Sequence, residues 1–331
     1  MRRFFLTVFL LGALAVLLVG GAALWWVYQP LKIPGTAVDL SIEPGTLPRG
    51  VADAVAKAGV DVNPTLLYGW FRLSGQARDI KAGSYELEAG LTPHRLLAKL
   101  ARGDQSLQAV TFVEGWTFRQ MRAAMAKEAS LKPETRDLDD AKLMALLGRQ
   151  GQHPEGRFFP DTYTYAKGSS DTAVLRRALR AMDKRLEEAW AQRSPQAMVK
   201  TPEDMLILAS IVEKETGRGS DRPLVSAVFN NRLRLGMPLQ TDPTVIYGMG
   251  TAFNGNLRKV DLQTDTPWNT YTRPGLPPTP IAMPGKASLL AAVQPAQSKA
   301  LYFVARGDGS SQFSETLEEH NRAVNKYQRG Q

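Results

Sequence analysis

Residues 205–217 read MLILASIVEKETG, and this stretch organises the rest of the sequence. Its first eight residues are apolar except Ser210, and Glu213 and Glu215 follow just before Gly217. A carboxylate in the last turn of a helix meets the negative end of the helix dipole, which disfavours its ionised form by about 0.3–1 kcal/mol. The stretch therefore predicts an apolar helix that ends either in two solvated acids or in a carboxyl group that retains its proton.

Local signals predict the elements around this helix. Thr201 suits an N-cap, and Pro202 suits a first helical turn, so the helix is predicted to start there. Periodicity and turn residues predict a helix over 171–192, helices over 223–234 and 288–293, a turn beginning at Asp242-Pro243, a hairpin turning at 307–311, and a last helix that contains His320.

Composition excludes several classes of protein. The chain has 331 residues, enough for two domains, and no cysteine, which excludes a disulfide scaffold and thiol catalysis. Its three histidines, His94, His153 and His320, are too far apart for a zinc motif. The sequence also lacks the nucleotide-binding, serine-hydrolase and zinc-protease motifs. We therefore expect neither a metal nor a cofactor.

The net charge of +9 does not indicate a nucleic-acid partner. No basic run exceeds two residues, and the Lys and Arg residues lie beside acids along the whole chain. The N-terminus instead predicts a membrane, where anionic lipid headgroups or an anionic wall polymer are the nearer targets of a basic protein.

The N-terminal segment is typical of a membrane anchor. Arg2 and Arg3 precede residues 4–28, which carry no charge and are long enough to cross a bilayer as a helix. Tyr28 ends the segment with an aromatic ring that suits the headgroup region. We predict a cytoplasmic tail at 1–3 and a transmembrane helix at 4–28, with the rest of the chain outside. A cleaved signal peptide is the alternative.

A strand–turn–helix pattern recurs after a predicted linker at 29–38. It occupies residues 38–60, 83–103 and 108–128, and each copy has a glycine where the strand gives way to the helix. These units resemble the LysM fold, which binds N-acetylated glycans, although any small α+β domain can show the same pattern. We therefore predict an α+β protein, with a LysM-like domain at 39–107 and a second α+β domain at 108–331.

Several longer motifs, in one order, resemble the endolytic murein transglycosylase (YceG-like) family. They are EGRFFPDTYTY at 155–165, VEKETG at 212–217, NNRLRLGMPLQTDPTVIYG at 230–248, NTYTRPGLPPTPIAMPG at 269–285 and SQFSETLEEHNRAV at 311–324. The resemblance covers nearly the whole chain. It implies a C-terminal YceG-like lytic transglycosylase domain, behind the anchor and the LysM-like domain.

The resemblance also implies an activity and a place in the cell. Such an enzyme cuts peptidoglycan strands internally, between N-acetylmuramic acid and N-acetylglucosamine, and leaves 1,6-anhydro ends that terminate chain elongation. It would sit in the inner membrane with its catalytic domain in the periplasm, in partnership with peptidoglycan synthases such as penicillin-binding proteins.

One carboxylate is sufficient for this chemistry. Glu213 and Glu215 are about 200° apart around a helix, so they cannot share one cleft. Lytic transglycosylases have a Glu followed by Ser or Thr at the end of a buried helix, and Glu215-Thr216 matches this pair. The resemblance therefore implies that Glu215 is the general acid and then the general base, with Glu213 as the second candidate.

Polar and aromatic residues in the loops after this helix are candidate sugar contacts. They are Gln240, Thr241, Asp242, Tyr247, Asn254, Asn269 and Tyr271. Each could equally hold a loop in place, and His320 is expected to be a structural histidine. Two other functions stay open: a hydrolase that pairs Glu215 with Asp242, and a glycan-binding scaffold without activity.

Overall fold

The first helix, α1, spans Arg2–Val27 in a computed structural model that describes residues 2–330, with side chains at residue 7 and from residue 9 onward. Met1, within the predicted tail at 1–3, and Gln331 lie outside this range. The segment Phe9–Val27 has a mean hydropathy of 2.2 and is 6% buried, and it is the one helix of the described chain that is long and apolar enough to cross a membrane. By length and composition, α1 is compatible with a membrane anchor.

The chain divides into two compact units. The first runs to Gln108 and takes in Thr164–Ser169, and the second comprises Ala109–Tyr163 and the chain from Ser170 onward. After α1, the first unit contains β1 (Ala37–Ile42), α2 (Pro48–Lys57), α3 (Pro64–Leu73), β2 (Gly83–Glu88) and α4 (Pro93–Arg102). The two strands are antiparallel, with Ala37 opposite Glu88 and Ile42 opposite Gly83.

The core of the first unit lies between this hairpin-like pair of strands and its helices. Leu40 and Leu87 point inward from the strands, and Leu67 and Leu97 meet them from the helices. The segment predicted as a linker, 29–38, also contributes: Leu31 is buried in the same core, and its N–H donates to the Leu91 carbonyl at 2.8 Å. The chain is therefore held against this unit directly after α1.

Two further strands, β3 (Leu107–Thr111) and β4 (Thr162–Ala166), pair with each other. The helices that follow β3 are α5 (Phe118–Ala126), α6 (Asp140–Leu146), α7 (Asp171–Trp190), α8 (Pro202–Glu215), α9 (Arg222–Arg234), α10 (Asp242–Met249), α11 (Lys259–Gln263), α12 (Lys286–Val293) and α13 (Leu317–Gln328). Between α12 and α13, β5 (Tyr302–Ala305) and β6 (Ser311–Ser314) form an antiparallel hairpin.

Helix α8 is the centre of the second unit. Every residue from Met205 to Val212 is buried, because α7, α9, α10 and α12 all contact this helix. Its single polar residue in that run, Ser210, donates to the Ile207 carbonyl at 2.7 Å and accepts the Ile281 N–H at 3.0 Å. A helix that is apolar all round is stable only when it is buried in this way.

The start of α8 is a reciprocal cap, as the sequence predicts. The Asp204 N–H donates to the Thr201 hydroxyl at 3.0 Å, and the Thr201 N–H donates to the Asp204 carboxylate at 3.1 Å. We expect Thr201→Ala to lower the free energy of unfolding by about 1 kcal/mol, the usual cost of a lost N-cap. Urea denaturation measures it, and Thr201→Ser, which keeps the hydroxyl, should stay near the wild type.

Most predicted elements of the second unit are present, and their ends differ from the predicted ends by one or two residues. One prediction is wrong. The predicted turn at Asp242-Pro243 is the first turn of helix α10. The physical reason is that proline, with its fixed φ and missing N–H, suits the first turn of a helix as well as it suits a turn. Helices α3, α6 and α11 are additions that the sequence patterns did not predict.

Candidate active site

A cleft of about 770 Å³ opens in the second unit at the C-terminal end of α8. Glu215 lies at this end, and the walls come from α9, the segment 239–242, Tyr271, the β5–β6 hairpin and α13. Of the residues predicted to act on or contact a substrate, the cleft brings together Glu215, Gln240, Thr241, Asp242 and Tyr271.

Glu215 is a carboxyl group in unfavourable surroundings for a charge. Part of its surface reaches solvent, but protein atoms enclose the carboxyl group, and this burial raises its pKa above the ordinary value. The Thr241 hydroxyl donates a hydrogen bond to Glu215, which lowers the pKa, and the nearby Asp242 raises it again. The net direction is upward, so Glu215 retains its proton to a higher pH than an exposed glutamate does.

Thr241 is held in place so that its hydroxyl is available to Glu215. The residue is 2% exposed and precedes α10 without capping it by its side chain. Its N–H donates to the Thr270 hydroxyl at 3.1 Å, and its carbonyl accepts the Thr244 hydroxyl at 2.7 Å. Just before it, Gln240 has a φ of 52°, the one positive φ of a non-glycine residue in the described chain. Backbone strain of this kind is found where the surrounding structure forces a conformation.

The second carboxylate of the cleft is tied to a tyrosine. The Tyr271 hydroxyl donates to Asp242 at 2.6 Å. Burial, followed by this bond and the charge of Asp242, raises the pKa of Tyr271, so the phenol keeps its proton. Asp242 itself is exposed at the rim. The pair can present a hydroxyl and a carboxylate to a ligand, close to Glu215.

Glu213 does not line the cleft, and its carboxylate instead contacts other groups of the protein. Its carboxylate accepts the Gly285 N–H at 2.9 Å and lies 3.8 Å from the Arg222 guanidinium. Its side chain is 9% exposed, compared with 18% for Arg222. The two acids at the end of α8 therefore have different surroundings: Glu213 anchors the start of α12, and Glu215 lines the cleft.

Arg232 supports one wall of the cleft, and the sequence analysis did not select it. It is 7% exposed and donates to the carbonyls of Leu301 at 2.7 Å, Pro238 at 3.0 Å and Leu239 at 3.1 Å. It also donates to the Gln240 side chain at 3.2 Å. Arg232 and Arg234 both occur within NNRLRLG, and nothing in the sequence marks Arg232 for this role, because its partners converge on it only in the folded chain.

His320 belongs to the same wall. The His320 ring stacks on the Tyr302 ring, with 5.2 Å between the ring centroids. The Arg232 guanidinium carbon lies 5.0 Å from the centroid of the same Tyr302 ring. Burial and the charge of Arg232 lower the pKa of His320, so the imidazole is neutral at pH 7. His320 thus packs in a column of stacked side chains, and it also lines the cleft.

Three predicted substrate contacts lie outside the lining of this cleft. Asn269 is fully buried and donates to the carbonyls of Leu262 at 3.0 Å and Thr264 at 2.7 Å, so its amide holds a loop together. Asn254 is exposed and accepts the Asn256 N–H at 3.2 Å. Tyr247 packs on Trp268 at 5.7 Å between ring centroids.

Tyr247 reaches a buried acid that the sequence analysis did not select. Glu155 is 3% exposed and accepts the Phe118 N–H at 2.9 Å, at the start of α5, and a hydrogen bond from Tyr247. Burial raises the pKa of Glu155 to about 7. Its position within the aromatic stretch EGRFFPDTYTY is the available signal, since an acid among aromatic residues has little water around it.

Glu155 should make stability depend on pH. Its pKa is about 7 in the folded chain and near 4.5 when unfolded, so its contribution is present below pH 4.5 and is lost as the pH rises through 7. We expect the free energy of unfolding to fall by about 2–3 kcal/mol more in the wild type than in Glu155→Gln between pH 5 and pH 8. Urea titrations at both pH values measure this; parallel curves for the two proteins would contradict it.

The described residues contain no group of three or more His, Asp or Glu side chains close enough to hold a metal ion. The cleft presents a carboxyl group with a raised pKa, a carboxylate paired with a phenol, and the amide of Gln240.

The sequence and the fold match known proteins over most of their length. A sequence model described as the YceG-like family matches residues 40–326. An endolytic murein transglycosylase of Bacillus subtilis is 32% identical, over 94% of this chain and 91% of that protein. A protein of the same name from Streptococcus pneumoniae is 28% identical over 87% of this chain, which spans 58% of that relative.

A solved structure supports the same assignment at the level of the fold. The crystal structure of a YceG-like protein from Listeria monocytogenes is 29% identical and aligns with a TM-score of 0.57, covering 87% of this chain and 99% of that one. Because the family model matches residues 40–326, well over half of the chain, and the relative from Bacillus subtilis is 32% identical over most of both sequences, the chain belongs to the YceG-like family.

Proposed function

We propose that this protein is a lytic transglycosylase that cuts peptidoglycan strands internally. Two relatives named endolytic murein transglycosylase support the activity and its substrate. The observation that carries the proposal is Glu215, a carboxyl group in the cleft lining whose burial raises its pKa. A proton held near neutral pH is what a general acid needs.

In the proposed mechanism Glu215 acts twice. The protonated carboxyl gives its proton to the glycosidic oxygen between N-acetylmuramic acid and N-acetylglucosamine, and the bond breaks through an oxocarbenium-like state. The resulting carboxylate takes the proton of the muramic acid C6 hydroxyl, which attacks the anomeric carbon. The products are a free N-acetylglucosamine hydroxyl and a 1,6-anhydro end, and no water is consumed.

Thr241 assists in the second half of this cycle. Its hydroxyl donates to Glu215, and a hydrogen bond to a carboxylate stabilises the ionised form. The bond therefore stabilises Glu215 after it has given up its proton. Burial of the carboxyl group disfavours the ionised form and raises the pKa of Glu215, and the hydrogen bond from Thr241 makes this rise smaller. We propose that this balance lets one residue serve as acid and as base.

Thr241→Val tests the balance. The variant removes the hydrogen bond that lowers the pKa of Glu215, so this pKa should rise further. Because the reactive form is protonated, activity falls as pH rises through the pKa, and we expect this alkaline limb to move to higher pH in the variant. Initial rates across pH 5–9 measure the limb, with Thr241→Ser as a control that keeps the wild-type profile.

The substrate contacts follow from the residues that line the cleft. We propose that Gln240, Asp242 and Tyr271 bind sugar hydroxyl and N-acetyl groups around Glu215. The rigid hold of Arg232 on the Gln240 side chain, and of Tyr271 on Asp242, supports a preformed site. Tyr247, Asn254 and Asn269 lie outside the lining, so for them we propose a part in holding the surrounding loops.

A hydrolase is the second candidate, and one observation favours it. Asp242 is close enough to Glu215 to raise its pKa, so the cleft does contain two carboxylates. Hydrolysis would need Asp242 as nucleophile or as base for a water. Its hydrogen bond from Tyr271 stabilises the carboxylate but also occupies one of its oxygens, which argues for a binding role.

The wider assignment is also a proposal. Helix α1 would anchor the protein in the inner membrane as a single span, with the N-terminus in the cytoplasm and the chain after α1 in the periplasm. The first unit would be a LysM-like glycan-binding domain, since it places two helices between antiparallel strands. Cutting strands at the membrane would end their elongation, in partnership with peptidoglycan synthases.

Digestion of purified glycan strands by the full chain in detergent tests the proposed function. Mass spectrometry of the new ends and the size distribution of the fragments are the two measurements. We expect anhydro-muramic ends and an early appearance of mid-length fragments, as internal cutting requires. Ends heavier by one water would make the protein a hydrolase, and binding without cutting would make it a scaffold.

A further inference from the structure

Helix α3 of the first unit carries an apolar stripe on the side away from Leu67 and Phe71, with exposed leucines on either side of Trp70, which packs against the edge of the core. Leu66, Trp70 and Leu73 are spaced i, i+4 and i+7, so they lie along one face of the helix. Leu66 is 56% exposed and Leu73 is 87% exposed, whereas the core-facing Leu67 and Phe71 are fully buried. Large exposed leucines on one helix face indicate a surface that contacts something apolar.

This stripe lies beside the end of the apolar helix α1. The Trp70 indole donates to the Pro93 carbonyl at 3.2 Å, and its ring lies 6.2 Å from that of His94. The centroid of the Tyr28 ring, directly after α1, lies 5.2 Å from the centroid of the same His94 imidazole. Val27, the last residue of α1, is 3% exposed. The end of α1 and the stripe are therefore joined through one side chain.

The junction after α1 is not a loose tether. Leu31 is 7% exposed, and its N–H donates to the Leu91 carbonyl at 2.8 Å. One residue later, Lys32 forms a bridge with Asp61, close to the start of α3. Because the residues directly after α1 are held by these contacts, α3 stays near the point at which α1 would leave a bilayer.

The charges of α3 and α4 suit an anionic surface. Residues 62–78 and 89–103, which contain these two helices, hold no Asp or Glu. Their basic residues are Arg72, Arg78, Arg95, Lys99 and Arg102. Three of them, on α4, again have the spacing i, i+4 and i+7, so they share one helix face. The two helices contact each other, and α4 also contacts α1.

We propose that the α3–α4 surface docks on the anionic lipid surface of the membrane in which α1 is anchored. Leu66, Trp70 and Leu73 would enter the headgroup region, and the basic face of α4 would contact lipid phosphates. The proposal rests on the proposed membrane anchoring by α1, and it is independent of the chemistry at Glu215. Docking would fix the orientation of the first unit against the bilayer.

The absence of cysteine from the chain allows a direct test. We would label Leu73→Cys with a nitroxide in the full-length protein, reconstituted into vesicles of phosphatidylcholine with or without phosphatidylglycerol. Collision with oxygen, which enriches in lipid, and with a water-soluble nickel complex gives the depth of the label. Leu235→Cys, on a 62% exposed leucine of the second unit, is the aqueous control, and Leu17→Cys in α1 reports the anchor itself.

With phosphatidylglycerol present, the label at residue 73 should be accessible to oxygen and protected from nickel, unlike the label at 235. Neutral vesicles should weaken this contact, and so should the combined change Arg95→Gln, Lys99→Gln and Arg102→Gln. Each basic side chain near an anionic surface changes the ratio of docked to undocked protein by roughly fivefold. The combined variant should therefore lose about a hundredfold in that ratio.

Three outcomes would overturn the proposal in distinguishable ways. If residue 73 is as aqueous as residue 235 while residue 17 lies in lipid, the anchor stands and the docking surface does not. If residue 17 is also aqueous, the anchor has failed. If residue 73 is protected from both reagents whatever the lipid charge, a protein or glycan covers the surface instead of lipid.

Discussion

Glu215→Gln is expected to lower kcat on glycan strands by about a thousandfold, within the range that general acid–base catalysis contributes. The amide keeps the size of the side chain and can still accept the hydrogen bond from Thr241. It has no proton of suitable acidity for the glycosidic oxygen, and it cannot take the proton of the C6 hydroxyl. Both halves of the proposed cycle are therefore lost, while the fold should be unaffected or slightly more stable, since a buried titrating group is removed.

Glu213→Gln is the matched control for this result. The residue sits two positions away on the same helix, and its carboxylate accepts the Gly285 N–H and pairs with Arg222. The amide oxygen can still accept from Gly285, so the variant should keep most of its activity per folded molecule and lose some stability. If Glu213→Gln is inactive and Glu215→Gln still cuts, the assignment of the acid to Glu215 is wrong.

Arg232→Met should have the largest effect on stability. Arg232 is buried and serves three backbone carbonyls and the Gln240 side chain. Methionine fills similar space but leaves these acceptors without a donor, so we expect the free energy of unfolding to fall by about 3 kcal/mol. Urea denaturation measures the loss. The variant should also lose activity, because Gln240 and the adjacent Thr241 would no longer be held beside Glu215.

Arg234→Met separates this effect from the loss of a charge on the same helix. Arg234 is exposed and donates to the Asn231 side chain at 2.7 Å and to the Gln196 carbonyl at 3.0 Å. Exposed pairs of this kind contribute little, so we expect a change below about 1 kcal/mol and unchanged activity. Equal losses in Arg232→Met and Arg234→Met would contradict the role of Arg232 in the wall of the cleft.

Local signals in the sequence predict those parts of the fold whose causes are local. The cap at Thr201, the apolar run through Val212 and the hairpin before α13 each depend on neighbouring residues, and all are present. The sequence predicts a turn where α10 begins, because Asp-Pro begins both structures. Helix α3 follows a good N-cap at Asn63, but apolar residues occur on both its buried and its exposed faces, so no single core-facing stripe stands out in the sequence.

The candidate site combines local and distant contributions. The apolar helix with acids in its last turn indicates Glu213 and Glu215 as candidate catalytic acids, and the family motifs favour Glu215. No pattern along the chain separates the two by environment, because that depends on Gly285 and Arg222 on one side and Thr241 on the other. The sequence does not single out Arg232 or Glu155 for the same reason: their backbone and side-chain partners come together only in the folded chain.

The most direct test of the central claim follows the oxygen atoms. Digestion by the full-length protein in water enriched in the heavy oxygen isotope, with mass spectrometry of the new ends, separates transglycosylation from hydrolysis in one measurement. The single-carboxylate mechanism predicts anhydro ends that contain no heavy oxygen, because the C6 hydroxyl of the substrate is the nucleophile. One heavy oxygen atom in each new muramic acid end would contradict it, and would assign the reaction to water and the second carboxylate role to Asp242.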